Sequence, residues 1–275
     1  MKNIWVPLSG QIAQQRKVET IANNIANANT NGFKKDQITF KEYMSAVDNP
    51  SADIDVPPGE FAPDDFYRSR GMENSYVKVD GSYTNFEQGA LKPTRNKFDM
   101  ALFGKGFFEV LTPNGIRFTR NGSFSLNAKG ELVTAQGFKV LQKITDEQAK
   151  DPNFTNDVNE RVINLTGAHK FSVSREGDVY ANDSKLGSLS VVEFNDVHAI
   201  RKEGSTLYMN NDANNIKRDE VATTVNQGFV EGSNVNAVKE MSELINAHRH
   251  FDNIQTAIKT YDSISSKIVN DISKF

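Results

Sequence analysis

Histidines are the residues in this sequence that could first be expected to bind a metal or move a proton. His248 and His250 lie two positions apart, and side chains with that spacing on a helix point in different directions. They are therefore poorly placed to share a metal ion, and a packed or interface role is the better interpretation of His248. His169 and His198 have no ligand-like spacing to acidic residues.

Other motifs of chemical interest have simpler structural interpretations. Gly104-Lys105-Gly106 lacks the Gly-Lys-Ser/Thr ending of a phosphate loop, so it is interpreted as a β-turn. Asp64-Asp65 lies in a proline-rich polar segment, where solvation explains the paired carboxylates. The sequence contains no nucleophile elbow and no cysteine, which excludes disulfides, thiolate metal sites and a cysteine nucleophile. The sequence therefore predicts neither an enzyme nor a cofactor.

The composition limits the partners that can be expected. The chain has 275 residues, 37% of them apolar, with a mean hydropathy of −0.54 and a net charge of −3. No basic block indicates nucleic acid, and no apolar run approaches the ~20 residues that a membrane helix needs. The first ten residues do not resemble a cleavable secretion signal, so an exported protein would need another route.

Each end of the chain carries an apolar stripe that predicts one long helix. Apolar residues recur every three or four positions from Val238 to Phe275, and a shorter stripe runs from Ile4 to Ile25. A helix with one apolar face must bury it. The two ends therefore pack together or against other molecules, which favours assembly over catalysis.

Asparagines crowd the end of the first stripe. Asn23, Asn24, Asn27, Asn29 and Asn31 fall within nine positions, although asparagine is a poor residue for a helix interior. Fraying of the helix end explains Asn29 and Asn31. Amides beside an apolar seam can fix the register between helices, and we interpret the first three in this way.

The predicted subunit interface combines these stripes with two of the asparagines and one histidine. It comprises Ile4, Leu8, Ile12, Val18, Ile21, Asn24, Ile25, Asn27, Val238, Met241, Ile245, His248, Phe251, Ile254, Ile258, Tyr261, Ile264 and Ile268.

The middle of the chain, residues 76–227, has the pattern of short strands separated by turns. Asn114-Gly115 between apolar runs is a strong hairpin signal, because both residues accept positive φ. Ala128-Lys129-Gly130 and Arg175-Glu176-Gly177 predict two more hairpins, and Leu186–Phe194 is expected to form one longer strand. These signals indicate a meandering β domain.

Boundaries between the elements are marked by glycine, proline and asparagine. The first helix is expected to run to about residue 31, with Gly32 in a left-handed C-terminal cap. Asn234 is the predicted N-cap of a helix that begins near Val235. Residues 48–75 are proline-rich and interpreted either as a disordered loop or as an arm that orders against a neighbour, and residues 146–157 as a polar excursion.

We therefore predict an α+β fold with long N- and C-terminal helices and a central, mainly antiparallel β domain. The helices, residues 1–35 and 233–275, are expected to pack together as a coiled-coil-like domain. Residues 36–75 form an extended connecting arm, and residues 76–232 form the β domain.

Three collinear motifs resemble those of the axial proteins of the bacterial flagellar rod and hook. The N-terminal motif is Ala22-Asn23-Asn24-Ile25-Ala26-Asn27-Ala28-Asn29-Thr30-Asn31-Gly32-Phe33-Lys34, and the C-terminal motif runs from Gln227 to Met241. The central motif includes Gly104-Lys105-Gly106-Phe107-Phe108 and Phe118-Thr119-Arg120-Asn121-Gly122-Ser123-Phe124. Within the family the resemblance favours the proximal rod, with the distal rod as the close alternative.

The resemblance implies a structural subunit of the flagellar basal body that assembles helically in the periplasm and transmits torque towards the hook. Its implied partners are copies of itself, other rod proteins and, during secretion, the flagellar type III export apparatus. Export without a cleaved signal agrees with the first ten residues.

Two other classes of function compete with this interpretation. The β domain could bind carbohydrate or cell wall, with helices that only dimerise it, and a row of exposed aromatic residues would favour that. A peptidoglycan hydrolase is the third hypothesis, which the lack of a recognisable catalytic site disfavours. In the assembly hypothesis, helices that bury only one stripe are partly disordered until they pack against neighbours.

Overall fold

The computed structural model of the chain describes residues 5–45, 74–143, 161–167, 170–182, 184–217 and 222–272. The chain divides into two compact units. We call Met1–Asn23, Gln37–Tyr83 and Val238–Phe275 the helical unit, and Asn24–Asp36 with Thr84–Ala237 the β unit. Helices and antiparallel strands occur in separate parts of the sequence, which confirms the predicted α+β class with a central antiparallel β domain.

The elements are as follows in chain order. Helix α1 spans Trp5–Ala26 and helix α2 spans Ala237–Ile272. The first nine strands are β1 (Asp36–Ser45), β2 (Asn74–Thr84), β3 (Leu91–Pro93), β4 (Met100–Phe103), β5 (Phe107–Thr112), β6 (Gly115–Thr119), β7 (Phe124–Leu126), β8 (Leu132–Thr134) and β9 (Lys139–Val140). The others are β10 (Phe171–Val173), β11 (Asp178–Ala181), β12 (Ser184–Ser188), β13 (Val191–Phe194), β14 (Arg201–Glu203), β15 (Leu207–Met209), β16 (Ile216–Lys217), β17 (Thr224–Gln227) and β18 (Phe229–Glu231).

The helical unit brings α1 close to α2. A methyl group placed on Gly10 would lie 3.8 Å from Cδ1 of Ile254, so the helices approach each other at this glycine. Ala13 and Ile21 of α1 and Ala247 of α2 are buried. Strands β1 and β2 pair with each other, and the β2 residue Val77 donates its backbone N–H to Oγ of Ser9 over 3.2 Å.

The β unit is built around one large sheet. Its strands follow the order β14-β15-β6-β5-β9-β8-β7, and β13 pairs with both β5 and β16. Strands β10, β11 and β12 form a second sheet, while β17 pairs with β4 and β18 with β3. The last two pairs join β3 and β4 to the two last strands of the unit, so residues 224–231 return to the strands near its start.

Two apolar clusters fill the β unit. One contains Phe108 and Phe124, whose rings meet edge to face with centroids 5.2 Å apart. The other contains Phe107, Phe194 and Tyr208, with Phe107 lying 5.3 Å and 5.5 Å from the other two rings. The aromatic side chains that alternate along these strands therefore pack mostly in the core and do not form an exposed row.

The three predicted hairpins are confirmed. Gly115 has φ 100° in the turn between β5 and β6, a conformation in which a side chain would be strained. The segments around residues 128–130 and 175–177 join β7 to β8 and β10 to β11.

The predictions for two element boundaries were wrong. Helix α1 ends at Ala26 rather than near residue 31, because the backbone continues in turns such as that from Asn27 N–H to the Asn24 carbonyl. The single strand expected over Leu186–Phe194 is divided into β12 and β13. Between them the Leu189 N–H donates to Gly177 and the Ser190 N–H donates to Leu141, so the chain changes partners there.

The predicted N-cap at Asn234 was also wrong. Helix α2 begins at Ala237, and the Asn234 amide bonds instead to the loops beside it. Its Oδ1 accepts the Lys35 N–H over 2.8 Å, and its Nδ2 donates to the Asn85 carbonyl over 2.8 Å. The predicted polar excursion at residues 146–157, His169, Ile4 and most of the proline-rich segment lie outside the described residues.

Candidate functional site

The N-terminal motif ends in a buried cation. Gly32, Phe33 and Lys34 are buried, and Gly32 has φ 71°. The left-handed conformation was predicted correctly, but the predicted role as helix cap was wrong, because α1 already ends at Ala26. The Gly32 N–H donates to the backbone carbonyl of Glu231 over 2.8 Å. This bond holds the segment beside β18.

The Glu231 carboxylate joins all three motifs. Its Oε1 accepts the Lys34 ammonium over 2.6 Å and the Gly89 N–H over 2.9 Å. Its Oε2 accepts Nη1 of Arg120 over 3.4 Å. All three charged side chains are almost completely inaccessible to solvent. We call Lys34, Arg120 and Glu231 the buried charge cluster.

Backbone carbonyls add further hydrogen bonds to the two cations, although Nε of Arg120 has no partner among the described residues. The Lys34 ammonium also donates to the Glu87 carbonyl over 2.7 Å, and Nη2 of Arg120 donates to Gly104 over 2.7 Å. The Arg120 guanidinium lies 4.8 Å from the centre of the Phe107 ring, which links the cluster to the core. Buried charges are tolerated only with such partners.

The electrostatics of the cluster reflect its burial. Loss of hydration lowers the pKa of Lys34, and the nearby Glu231 carboxylate offsets part of that shift. The pKa of Arg120 is lowered for the same reason. Two cations surround one carboxylate, so removal of the carboxylate charge would leave two buried positive charges without their counter-ion.

A second ion pair extends the arrangement. The Lys202 ammonium donates to Oδ2 of Asp36 over 2.7 Å and to the Lys34 carbonyl over 2.8 Å. It also lies 3.8 Å from the centre of the Phe33 ring. Residues 33–36 are thus held by contacts with β14, which fixes the path of the chain after α1.

The asparagines of the N-terminal motif have local partners. The Asn24 amide is buried; it accepts the Asp36 N–H over 3.0 Å and donates to the Asp36 carbonyl over 2.8 Å. Oδ1 of Asn27 accepts the Thr30 hydroxyl over 3.2 Å. The role in register between helices stays a prediction, and the contacts seen in the structure fix the backbone that follows α1.

The predicted interface residues differ in accessibility. Ile21 and Asn24 are buried, whereas Leu8, Val18, Ile25, Asn27, Phe251, Ile254 and Ile258 are half-buried. The exposed members are Ile12, Val238, Met241, Ile245, His248, Tyr261, Ile264 and Ile268. Val238 is 75% accessible, Met241 50% and Ile245 55%, and they lie on one face of α2 at spacings of three and four residues. We call these three residues the α2 stripe.

Sequence reasoning missed the buried charge cluster. A signal was nevertheless present, because each of the charges lies one or two positions after a phenylalanine within a motif: Phe33-Lys34, Phe118-Thr119-Arg120 and Phe229-Val230-Glu231. The hairpin and stripe patterns gave no means of pairing residues so distant in sequence.

The chemistry of the described residues offers no metal centre. Within the described ranges, no three His, Cys, Asp or Glu side chains converge in a way that could hold a metal ion. His198, His248 and His250 are exposed. In the same ranges, no helix is both long and apolar enough to cross a membrane.

The fold and the site together define a structural protein with a closed β unit and helices that present apolar side chains to solvent. Three family descriptions match the chain in the same order as its motifs. "Flagella basal body rod protein" matches residues 6–34, "Flagellar hook protein FlgE/F/G D1 domain" residues 101–181, and "Flagellar basal body rod FlgEFG protein C-terminal" residues 226–271. Each matched segment contributes one residue to the buried charge cluster.

Full-length relatives agree with these matches. The flagellar basal-body rod protein FlgG of Borreliella burgdorferi is 30% identical over 100% of this chain and 99% of its own length. FlgG of Bacillus subtilis is 30% identical with 98% of each chain covered, and FlgF of Rhizobium meliloti is 28% identical over 98% of this chain and 97% of its own. The chain belongs to the flagellar basal-body rod protein family and is a structural protein of the basal body.

Proposed function

We propose that this chain is a subunit of the flagellar rod that assembles helically with copies of itself and other rod proteins. The observation that carries the proposal is the α2 stripe, whose apolar side chains remain exposed while the β unit buries most of its own. Exposed apolar surface of this kind marks a contact with another protein. Many such contacts in parallel would give the rod the torsional stiffness that torque transmission needs.

The coiled-coil-like packing of the terminal helices is part of the proposal. Its support is the approach of α1 to α2 at Gly10 and the seven-residue spacing of Glu240, Ala247 and Ile254, which places all three on one face of α2. The assembled helices would form the inner tube. The predicted interface residues belong to this tube, including the half-buried Leu8 and Phe251.

The position within the rod has two candidates. The sequence motifs favour the proximal rod, as in relatives named FlgF, and the identity to relatives named FlgG supports the distal rod as the second candidate. Export through the flagellar type III apparatus without a cleaved signal is the expected route in both cases. A density map of purified basal bodies that carry a tag on this chain distinguishes the two positions.

A substitution experiment tests the function itself. In the bacterium that makes this chain, Met241→Ser with Ile245→Ser should abolish swimming in soft agar and leave rods that are short or absent. The matched control is Lys239→Ser with Asn246→Ser, two exposed positions on the same helix outside the α2 stripe. The control should swim, and unfolding of the purified variants should show that both keep a folded β unit. Complete rods in the Met241/Ile245 variant would contradict the proposal.

A further inference from the structure

Asparagine is followed directly by glycine at three places in the chain: Asn31-Gly32, Asn114-Gly115 and Asn121-Gly122. Such a pair can lose ammonia without an enzyme. The backbone nitrogen of the glycine attacks Cγ of the asparagine amide, a new C–N bond forms, and the bond to Nδ2 breaks as ammonia leaves. Water then opens the five-membered imide to aspartate or isoaspartate. Glycine favours the reaction because it has no side chain to obstruct the approach and leaves the backbone free to turn.

The reaction requires the backbone to change its conformation around the asparagine. The nitrogen of the glycine must come to lie against Cγ of the preceding side chain. In a folded chain the rate therefore depends on how readily the segment opens locally. The three pairs share the same dipeptide, so the structure around each pair determines which of them reacts.

The Asn31-Gly32 pair is held in the interior of the β unit. Gly32 is buried, and its N–H donates to the Glu231 carbonyl over 2.8 Å. A methyl group on Gly32 would lie 2.4 Å from the backbone nitrogen of Asn121, so the backbone has no room to turn. The Asn31 amide donates to Oγ of Ser123 over 3.1 Å. Deamidation of Asn31 therefore requires the β unit to open.

The Asn121-Gly122 pair is held as firmly. A methyl group on the buried Gly122 would lie 1.6 Å from the Met100 carbonyl oxygen. The Gly122 carbonyl accepts the Met100 N–H over 2.9 Å. Oδ1 of Asn121 accepts the Ser123 N–H over 3.0 Å, which fixes the amide away from the attacking nitrogen. The same opening of the β unit is needed here.

The Asn114-Gly115 pair lies at the tip of the hairpin between β5 and β6. Pro113, Asn114 and Gly115 are all exposed. A methyl group on Gly115 would come within 4 Å of one described group outside its chain neighbours, Nη1 of Arg117 at 3.8 Å. That guanidinium ends a flexible side chain and can move aside. An exposed tip of this kind opens locally while the core stays closed.

We propose that Asn114 is a site of deamidation in this chain and that the β unit shields Asn31 and Asn121 from the same reaction. The substrate is the chain itself, and water is the only co-reactant. The proposal goes beyond the proposed function and does not depend on it.

Deamidation at this position changes the charge beside β14. Hydrogen bonds from Arg117 and, to a smaller extent, from the Asn114 amide lower the pKa of the Glu203 carboxyl. The product replaces the amide donor by a second carboxylate, so Glu203 loses a hydrogen bond and faces a like charge. Isoaspartate also lengthens the backbone of the turn by a methylene group. The reaction should therefore weaken the contact between the hairpin tip and β14.

Peptide mapping of the purified full-length chain tests the site. The folded protein is incubated in mildly alkaline buffer, and mass spectrometry with separation of the aspartate and isoaspartate products follows each pair. We expect Asn114 to convert about tenfold or more faster than Asn31 or Asn121, because the last two need the core to open. The matched control is the same chain in urea, where the three rates should converge. Similar rates at the three sites in the folded chain would overturn the proposal, as would an unchanged preference for Asn114 in urea.

A pair of variants tests the consequence for Glu203. Asn114→Asp reproduces the aspartate product, whereas Asn114→Ser removes the amide donor and adds no charge. The urea midpoint of Asn114→Asp should be the lower of the two at low salt, and the gap should close at high salt or when Glu203→Gln is added to both. Equal midpoints at low salt would overturn the assigned repulsion of Glu203.

Discussion

The β unit encloses most of its large apolar side chains, with Phe103 and Leu186 among the exceptions, whereas the helical unit leaves many of its own in contact with solvent. Phe107, Phe108 and Leu132 are fully buried in the β unit. On α2, by contrast, the α2 stripe and the residues Tyr261, Ile264 and Ile268 are exposed at about half or more of each side chain. We therefore expect the β unit to be complete in the single chain and, as the proposed function requires, the helical unit to be completed by neighbours.

The two units also differ in how they use charge. The β unit buries Lys34, Arg120 and Glu231 together, which specifies a pairing between distant parts of the sequence rather than adding much stability. On α1 a representative ion pair is Arg16 with Glu19, which is exposed to solvent. Substitutions in the two units should therefore have very different consequences.

The largest effect is expected at the buried carboxylate. Glu231→Gln keeps the size of the side chain but leaves Lys34 and Arg120 without a counter-charge, so we expect the β unit to lose about 3–5 kcal/mol of unfolding free energy. Urea unfolding followed by near-ultraviolet circular dichroism measures this. The control Glu203→Gln removes a more exposed carboxylate that pairs with Arg117 and should have a much smaller effect. Similar losses in both variants would contradict the importance of the cluster.

Two separate glycine-to-alanine substitutions, one in each unit, should change the free energy of unfolding in opposite directions. Gly122 is buried in the β unit, and a methyl group there would lie 1.6 Å from the Met100 carbonyl oxygen, so Gly122→Ala should cost about 3 kcal/mol or more. Gly10 of α1 has room for a methyl group at 3.8 Å from Ile254, and Gly10→Ala should stabilise the helix by about 1 kcal/mol. Thermal unfolding of the purified variants measures the effect at Gly122, and helix content from far-ultraviolet circular dichroism, together with thermal unfolding, measures the effect at Gly10. A loss at Gly10 as large as that at Gly122 would show that the helices are as tightly closed as the β unit.

The smallest effect is expected from Tyr208→Phe, and it depends on pH. Tyr208 is buried and, among the described residues, no hydrogen-bond partner reaches its hydroxyl, so the change should be within about 1 kcal/mol at pH 7. Burial raises the pKa of Tyr208 in the folded chain. The unfolded tyrosine therefore loses its proton first above pH 10, and the stability of the wild type should fall there by up to about 1.4 kcal/mol per pH unit.

The phenylalanine variant should lack this part of the alkaline loss. Urea-unfolding free energies of wild type and Tyr208→Phe, measured from pH 7 to pH 11.5, should diverge only above pH 10. Tyr83→Phe, an exposed tyrosine in the helical unit, is the matched control and should follow the wild type. If the unfolding free energies of wild type and Tyr208→Phe coincided over the whole pH range, burial would not raise the pKa of Tyr208 as described.

Local patterns in the sequence were sufficient to predict much of this fold. The turn glycines and the alternation around Asn114-Gly115 identified hairpins because a hairpin is specified by residues that are neighbours in sequence. The apolar stripes identified α1 and α2 for the same reason. The division of Leu186–Phe194 into two strands was not predictable in this way, because it depends on backbone partners at Leu141 and Gly177.

Only one part of the candidate site, the exposed residues of α2, could be predicted, because the other part depends on residues that are distant in sequence. The exposed residues of α2 follow a helical spacing that can be read from the sequence alone, and their contact with other subunits remains a prediction. The buried charge cluster depends on the pairing of β18 with β3 and on the turns that follow α1, and these bring residues 34 and 231 within hydrogen-bonding distance. Asn24 illustrates the same limit, since its partner Asp36 lies beyond the end of the helix.

Hydrogen exchange on the dilute, purified monomer tests most directly whether the helices are completed by assembly. We expect backbone amides of β5 and β6 to be strongly protected, and those of α1 up to Asn23 and of α2 to exchange rapidly and gain protection in isolated rods. Protection of α1 and α2 in the dilute monomer equal to that of β5 and β6 would contradict the account.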